Sequence, residues 1–252
     1  MIDTHCHIDD PIYTADLAAV IKRQQDAGVE QILVPGVCLK DMPEVIRVCN
    51  LYPDYLHPAI GLHPENVGDN WQQELDDMEA LLHQHNFIAI GEIGLDYHFD
   101  TTYKEQQKRA LARQLQWAVD LDLPVMIHSR DATEDTLNIL RSFPTLRGVM
   151  HCFSGSNETA REIVKMGFYL GIGGVITFKN SKLREHLYNI PLEQIVLETD
   201  APYMTPVPFR GQPNESRYMV YVMQTLAEVY QLPVSTIENV TNRNAKALFR
   251  LK

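Results

Sequence analysis

Residues 87–96 read Phe87-Ile88-Ala89-Ile90-Gly91-Glu92-Ile93-Gly94-Leu95-Asp96. A short apolar run with no polar face is a strand buried on both sides, the kind that helices cover in a parallel sheet. The run reads as a strand over Phe87–Glu92 that ends in a carboxylate. Unpaired in the interior, that charge would cost several kcal/mol, and either a bound metal or a neighbouring arginine would remove the cost.

Outward from this run, short apolar or β-branched segments recur about every 25 to 30 residues, each followed by a stretch of helical period. That is the βα alternation that builds parallel sheets. Eight candidate strands result: Met1–His5, Gln31–Gly36, His57–Leu62, Phe87–Glu92, Pro124–His128, Gly148–His151, Phe168–Gly173 and Gln194–Asp200. Eight such units in 252 residues predict an α/β fold, a single-domain (β/α)8 TIM barrel over residues 1–252. An open doubly wound sheet is the alternative.

Metal-capable residues gather at the ends of these strands: His5 and His7 after the first, His63 after the third, Glu92 at the fourth, His128 at the fifth, His151 at the sixth and Asp200 at the eighth. Active sites are built on the C-terminal rim of a barrel, so all seven should converge on one mouth. Side chains i and i+2 share a strand face, which points His5 and His7 into the mouth and Cys6 outward to the helices. Asp3 and Glu198 share their parity one layer deeper, as acceptors that fix a ligand's tautomer. Singly, His128 or His151 is better read as structural; their joint placement reverses that. Imidazole and carboxylate donors without thiolate suit Zn²⁺, Mn²⁺ or Co²⁺, with Mg²⁺ less suited to so many imidazoles. The donors of His5, His7, Glu92, His128, His151 and Asp200 exceed the needs of one zinc ion, so two divalent cations bridged by Glu92 are expected. A metal-site carboxylate such as Asp200 can also take the proton of attacking water.

Helix punctuation agrees with this count. Ala15–Ala27 carries apolar residues at Leu17, Val20 and Ile21 and stops at Gly28, and Glu158–Met166 stops at Gly167, both glycines reading as C′ residues. Thr102 with Glu105, and Ser235 with Glu238, have capping-box spacing. The proline-rich loop Ala201–Arg217 cannot be regular helix, and a loop that long in a compact domain is usually functional. Gly171-Ile172-Gly173-Gly174 lacks the helix entry of a dinucleotide loop and reads as a turn that admits phosphate close to backbone N–H groups. Ser129 beside His128 and Cys152 beside His151 could mimic nucleophile dyads, but strand neighbours face opposite ways.

With 22 Lys and Arg against 33 Asp and Glu, the net charge is -11. No global positive field draws in a long polyanion, and any nucleic acid must be held locally. The 45% hydrophobic content excludes disorder as the main state. Four scattered cysteines with no C-x-x-C pair fit reduced, mostly buried thiols. No run approaches the ~18 apolar residues of a membrane span, and Met1-Ile2-Asp3-Thr4-His5 lacks the marks of a signal peptide. A cytoplasmic protein is expected, with no membrane and no obligate protein partner.

The runs Asp3-Thr4-His5-Cys6-His7, Gly61-Leu62-His63-Pro64, Gly91-Glu92-Ile93-Gly94-Leu95-Asp96-Tyr97, Ile127-His128-Ser129-Arg130, His151-Cys152-Phe153-Ser154-Gly155 and Glu198-Thr199-Asp200-Ala201-Pro202-Tyr203 together resemble the TatD family of metal-dependent hydrolases, within the amidohydrolase superfamily. The resemblance spans the whole chain. It implies one metal on His5, His7, Glu92 and Asp200, a second on Glu92, His128 and His151, and deoxyribonuclease activity that trims DNA ends or short single strands from the 3′ end. His63 would bind phosphate or assist the leaving group. For such a substrate the charges on loops after strands five, seven and eight, Arg130, Lys179 and Arg210, are the candidate phosphate contacts. Removal of a D-amino acid from tRNA, or opening of an ester or lactone, would use the same centre. A catalytically silent metal-binding scaffold is disfavoured because every expected ligand is present. The chain departs from the family pattern at Arg210-Gly211-Gln212-Pro213-Asn214-Glu215-Ser216-Arg217, where similar members carry a further basic residue.

Overall fold

The structure, a computed structural model, describes residues 1–252. Eight strands, β1 Ile2–Asp3, β2 Gln31–Val34, β3 Leu56–Ile60, β4 Ala89–Asp96, β5 Val125–Arg130, β6 Gly148–Met150, β7 Tyr169–Ile172 and β8 Ile195–Leu197, pair in parallel in chain order. Thr4 N–H donates to Leu197 O at 3.0 Å and Cys6 bridges Ala201, which draws β8 against β1 and closes the sheet. The helices are α1 Pro11–Thr14, α2 Leu17–Asp26, α3 Met42–Leu51, α4 Trp71–Leu82, α5 Lys104–Asp120, α6 Thr133–Arg141, α7 Asn157–Lys165, α8 Leu183–His186, α9 Met219–Tyr230 and α10 Val234–Phe249. The fold is the expected (β/α)8 barrel. None of its helices is long and apolar enough to cross a membrane.

Strand parity sorts the side chains into two cores. The larger lies between strands and helices and includes Cys6, Ile32, Ile90, Ile93 and Ile127. The smaller gathers Ile2, Leu33, Ala59, Met126, Val149 and Val196, which fill the barrel interior at its N-terminal end. Ala245, Leu248 and Phe249 of α10 join this cluster and plug the barrel from below. Two residues beyond Met126, Val149 and Val196 on the same inward face come His128, His151 and Glu198. The interior is thus an apolar floor under a polar mouth.

Several local expectations are revised. Most strands are shorter than the apolar runs, because their last residues turn out to build the mouth. β4 is longer: it continues to Asp96, paired with β5 through Ile93–Ile127 to Asp96–Arg130 after a register shift between Ile90 and Ile93. Glu92 therefore lies in mid-strand at that irregularity, its N–H on Gly36 O at 2.8 Å. Neither capping box forms: α5 starts after Tyr103 and α10 after Pro233, without a side-chain cap. The stretch Ala15–Ala27 holds α2, preceded by the separate turn of α1. Gly28 and Gly167 do adopt the left-handed conformation, with φ +85° and +83°. Gly171, inside β7, and Gly174, after it, face the protein and not a ligand. A side chain at Gly171 would overlap Glu198 Oε2, and one at Gly174 would overlap Met204 O of the loop after β8. Cys6 and Cys49 are buried, whereas Cys38 and Cys152 are half-buried.

Candidate metal centre

After β1 the chain stays extended, held by the Cys6–Ala201 bridge and by His7 N–H on Ala201 O at 2.9 Å. His5 and His7 therefore stand together beside Asp200. His5 Nε2 lies 3.1 Å from Glu92 Oε2 and 3.9 Å from Asp200 Oδ1; His7 Nε2 lies 3.9 Å and 3.6 Å from the same atoms. On the other side, His128 Nδ1 is 2.9 Å and His151 Nε2 is 3.6 Å from Glu92 Oε1. Glu92 turns one oxygen to each group. His63 Nε2 adds a third imidazole 3.4 Å from Oε1. Asp200 arrives three residues past the end of β8, in a left-handed conformation at φ +56°, with its N–H on His5 O. All seven residues singled out by sequence meet at one mouth. Arg130, Lys179 and Arg210 are exposed on the surrounding rim, Arg130 lying over the Phe99 ring and Arg210 over the Phe178 ring.

Donors ~2.1 Å from one tetrahedral ion lie ~3.4 Å apart. The separations above bracket that value, and the triads His5–Glu92–His151, His5–His7–Asp200 and His63–Glu92–His128 each keep their donor atoms within 4.8 Å of one another. His5 Nε2, the nitrogen that faces Glu92 and Asp200, is buried without a hydrogen-bond partner. Such an orphaned group is costly, and a cation would satisfy it.

The electrostatics agree. Burial opposes ionisation of Glu92, but the imidazoles of His151, His63 and His5 outweigh it and hold its carboxyl well below the usual carboxylate range. Burial is likewise outweighed at Asp200, by His7, His151 and His5. Against burial, Asp96 and Glu92 raise His128 to about 9, and Glu198 and Glu92 raise His151 to about 10. His5 moves down, under burial and the neighbouring His151. The mouth keeps its carboxylates ionised and draws positive charge to them; protons held on imidazole are what a divalent ion would displace.

Carboxylates outside the cluster flank two of the rings. Glu198 Oε1 lies 3.1 Å from His151 Nδ1, the position its parity predicted. Asp3 does not reach the His5 ring. Its carboxylate accepts from His5 N–H, Thr199 N–H and the Thr199 hydroxyl, so it fixes backbone instead of a tautomer. Asp96, to which the sequence reading gave no role, lies 2.8 Å from His128 Nε2 and leaves Nδ1 facing Glu92. Its signal was present: a second carboxylate in the same apolar run invites the argument made for Glu92. Asn214 donates to Thr199 O and Tyr203 O and Glu215 pairs with Arg23, which gives both a structural place in the long loop. Ser129 turns to Thr136 and away from His128.

A barrel whose C-terminal mouth gathers five histidines and Asp200 around Glu92 has the architecture of a metal-dependent hydrolase. The family model described as TatD related DNase matches residues 2–250, and the chain belongs to that family. It is 41% identical over 256 residues to YabD of Bacillus subtilis, an uncharacterized metal-dependent hydrolase, covering 100% of this chain and 99% of that one. It is 36% identical to the metal-dependent hydrolase YjjV of Escherichia coli, covering 99% and 98%. The crystal structure of that TatD homolog superposes with a TM-score of 0.93 at 35% identity, over 100% of this chain and 98% of the other.

Proposed function

We propose that the chain hydrolyses phosphodiester bonds at the 3′ ends of single-stranded DNA, with two divalent cations, of Zn²⁺, Mn²⁺, Co²⁺ or Mg²⁺, held at the mouth. The observation that carries this reading is the placement of Glu92, with one oxygen toward His5 and the other toward His128 and His151. In it His5, His7, Glu92 and Asp200 hold one ion, and Glu92, His128 and His151 the other. Bound there, the ions supply Lewis acidity to water and to the phosphoryl oxygens. Asp200 takes the proton of the attacking water on its carboxylate. The water oxygen bonds to phosphorus, the P–O3′ bond breaks, and the shortened strand leaves with a 3′-hydroxyl while a 5′-mononucleotide remains.

His63 suits the leaving group better than a metal. Its Nδ1 accepts from Glu65 N–H at 3.2 Å, which places the ring proton on Nε2, the nitrogen facing the cluster. An Nε2–H can donate to the departing oxygen and cannot bind an ion in that tautomer. Arg130, Lys179 and Arg210 offer charge for a few phosphates, and stacking on Phe99 and Phe178 limits the freedom of the two arginines.

The test runs 3′-labelled and 5′-labelled single-stranded oligonucleotides beside D-aminoacyl-tRNA on the metal-loaded protein. Stepwise loss from the 3′ end is the expected result. Deacylation without any cleavage of DNA would replace this reading with the carbonyl-centred one.

A further inference from the structure

The charged residues of the mouth are divided. Loops after β1 to β4 carry Asp9, Asp10, Asp41, Glu65, Asp69 and Asp100, with Lys40 their one lysine or arginine. The end of β5 and the loops after β7 and β8 carry the cations Arg130, Lys179, Lys182 and Arg210; apart from Glu198 and Asp200 of the centre itself, the acidic residues of this half, Asp131 and Glu215, are paired, to His98 and to Arg23 and Arg217. Because the strands follow one another in chain order, each set occupies a contiguous half of the rim. A polyanion crossing this mouth would be attracted on one side and repelled on the other.

On the acidic side, next to the metal centre, lies a cavity of about 260 Å³ lined by Pro64, Val67, Asp96, Phe99, Tyr103 and Gln107, with Glu65 and Asp100 at its wall. Pro64 follows His63, and Asp96 is the partner of His128, so the cavity opens beside the reacting centre. Phe99 is 73% exposed; Arg130 lies over its ring at 4.7 Å, and the remaining aromatic surface is open. Gln107 is 4% exposed; its Oε1 accepts from Asp96 N–H, which fixes the orientation of the amide and leaves Nε2 as a donor with no acceptor in the protein. An aromatic face, a free amide donor and the carboxylates of Glu65 and Asp100 suit a ring-bearing group without negative charge.

We infer that this cavity receives the terminal nucleoside of the strand, and that the acidic half of the rim excludes any phosphate beyond it. The inference rests on the phosphodiesterase reading and adds the source of its end-specificity. The strand body lies over Arg130, Lys179 and Arg210, the scissile phosphate over the cluster, and one nucleoside with a free 3′-hydroxyl in the cavity. A 3′-terminal phosphate, or a continuing strand, would set like charge against Glu65 and Asp100.

Two readouts test this on metal-loaded protein: cleavage of 5′-labelled oligonucleotides ending in 3′-hydroxyl or 3′-phosphate, and calorimetric binding of a nucleoside 5′-monophosphate against its 3′,5′-bisphosphate. The 3′-phosphate should lower both cleavage and affinity by about tenfold or more, from like-charge repulsion near the surface. Glu65→Gln with Asp100→Asn should narrow both ratios. Phe99→Ala should weaken monophosphate binding by about tenfold, the scale of one stacked base. Equal cleavage of the two ends overturns the cavity assignment and leaves the phosphodiesterase reading standing. If no oligonucleotide is cut, that reading falls and binding decides the cavity alone: selective binding of the monophosphate supports it, and equal or absent binding overturns it.

Discussion

Histidine has two ring nitrogens, and at three positions in this centre a neighbour decides which of them faces the cluster. Glu65 N–H takes Nδ1 of His63, Asp96 takes Nε2 of His128, and Glu198 lies against Nδ1 of His151. The buried Asp96 is the one most open to test. Asp96→Ala frees the His128 ring, and the affinity for Zn²⁺ or Mn²⁺ at the His128 side should fall about 10–100-fold, the usual effect of losing a ligand's supporting carboxylate. Asp96→Asn keeps an acceptor and should recover part of the loss in a metal-binding titration. Asp200 tests the chemistry. Asp200→Asn keeps an oxygen donor and removes basicity, so kcat should fall by ~10² or more while the ion on His128 and His151 is retained. Near-normal kcat in the metal-loaded variant would remove Asp200 from the role of base.

At the level of elements, α10 does for the floor what the loops do for the mouth. Phe249 is 3% exposed within the cluster that seals the barrel interior. Phe249→Ala should cost ~3–5 kcal/mol, read from urea unfolding, without changing metal content. β3 carries a pH-sensitive position away from the mouth. Burial holds the His57 imidazole below its ordinary value, and its Nε2 is buried without a partner. Between the folded value and 6.5 the unfolded chain binds a proton that the folded chain does not. The His57 contribution is therefore full above pH 6.5 and is lost as pH falls through the folded value. His57→Leu should lose less stability than wild type between pH 7.5 and 5.5, measured as urea midpoints. The strands were legible in the sequence because short apolar runs that end in polar residues are local signals, and all seven residues of the mouth followed from them. The α10 plug was not, because its partners Ile2, Met126 and Val196 are distant in sequence and its own apolar face looks like any surface helix. The continuation of β4 to Asp96 was missed for a related reason: Glu92 reads as a strand end unless the irregularity at Ile90 to Ile93 is known.

Across the whole molecule, a chain of net charge -11 concentrates its chemistry where six donors face one space. The fold provides the inward parity, the apolar floor excludes water from beneath, and the divided rim orients what approaches. Each of these serves the central claim that hydrolysis depends on cations held by His5, His7, Glu92, His128, His151 and Asp200. That claim is tested most directly by stripping the protein of metal, adding Mn²⁺ back in steps, and following bound ions per chain by elemental analysis together with release of nucleotide from single-stranded DNA. The account predicts no release from the stripped protein and release that rises with occupancy to a plateau at two ions per chain. Full release from protein verified to be free of metal would contradict it.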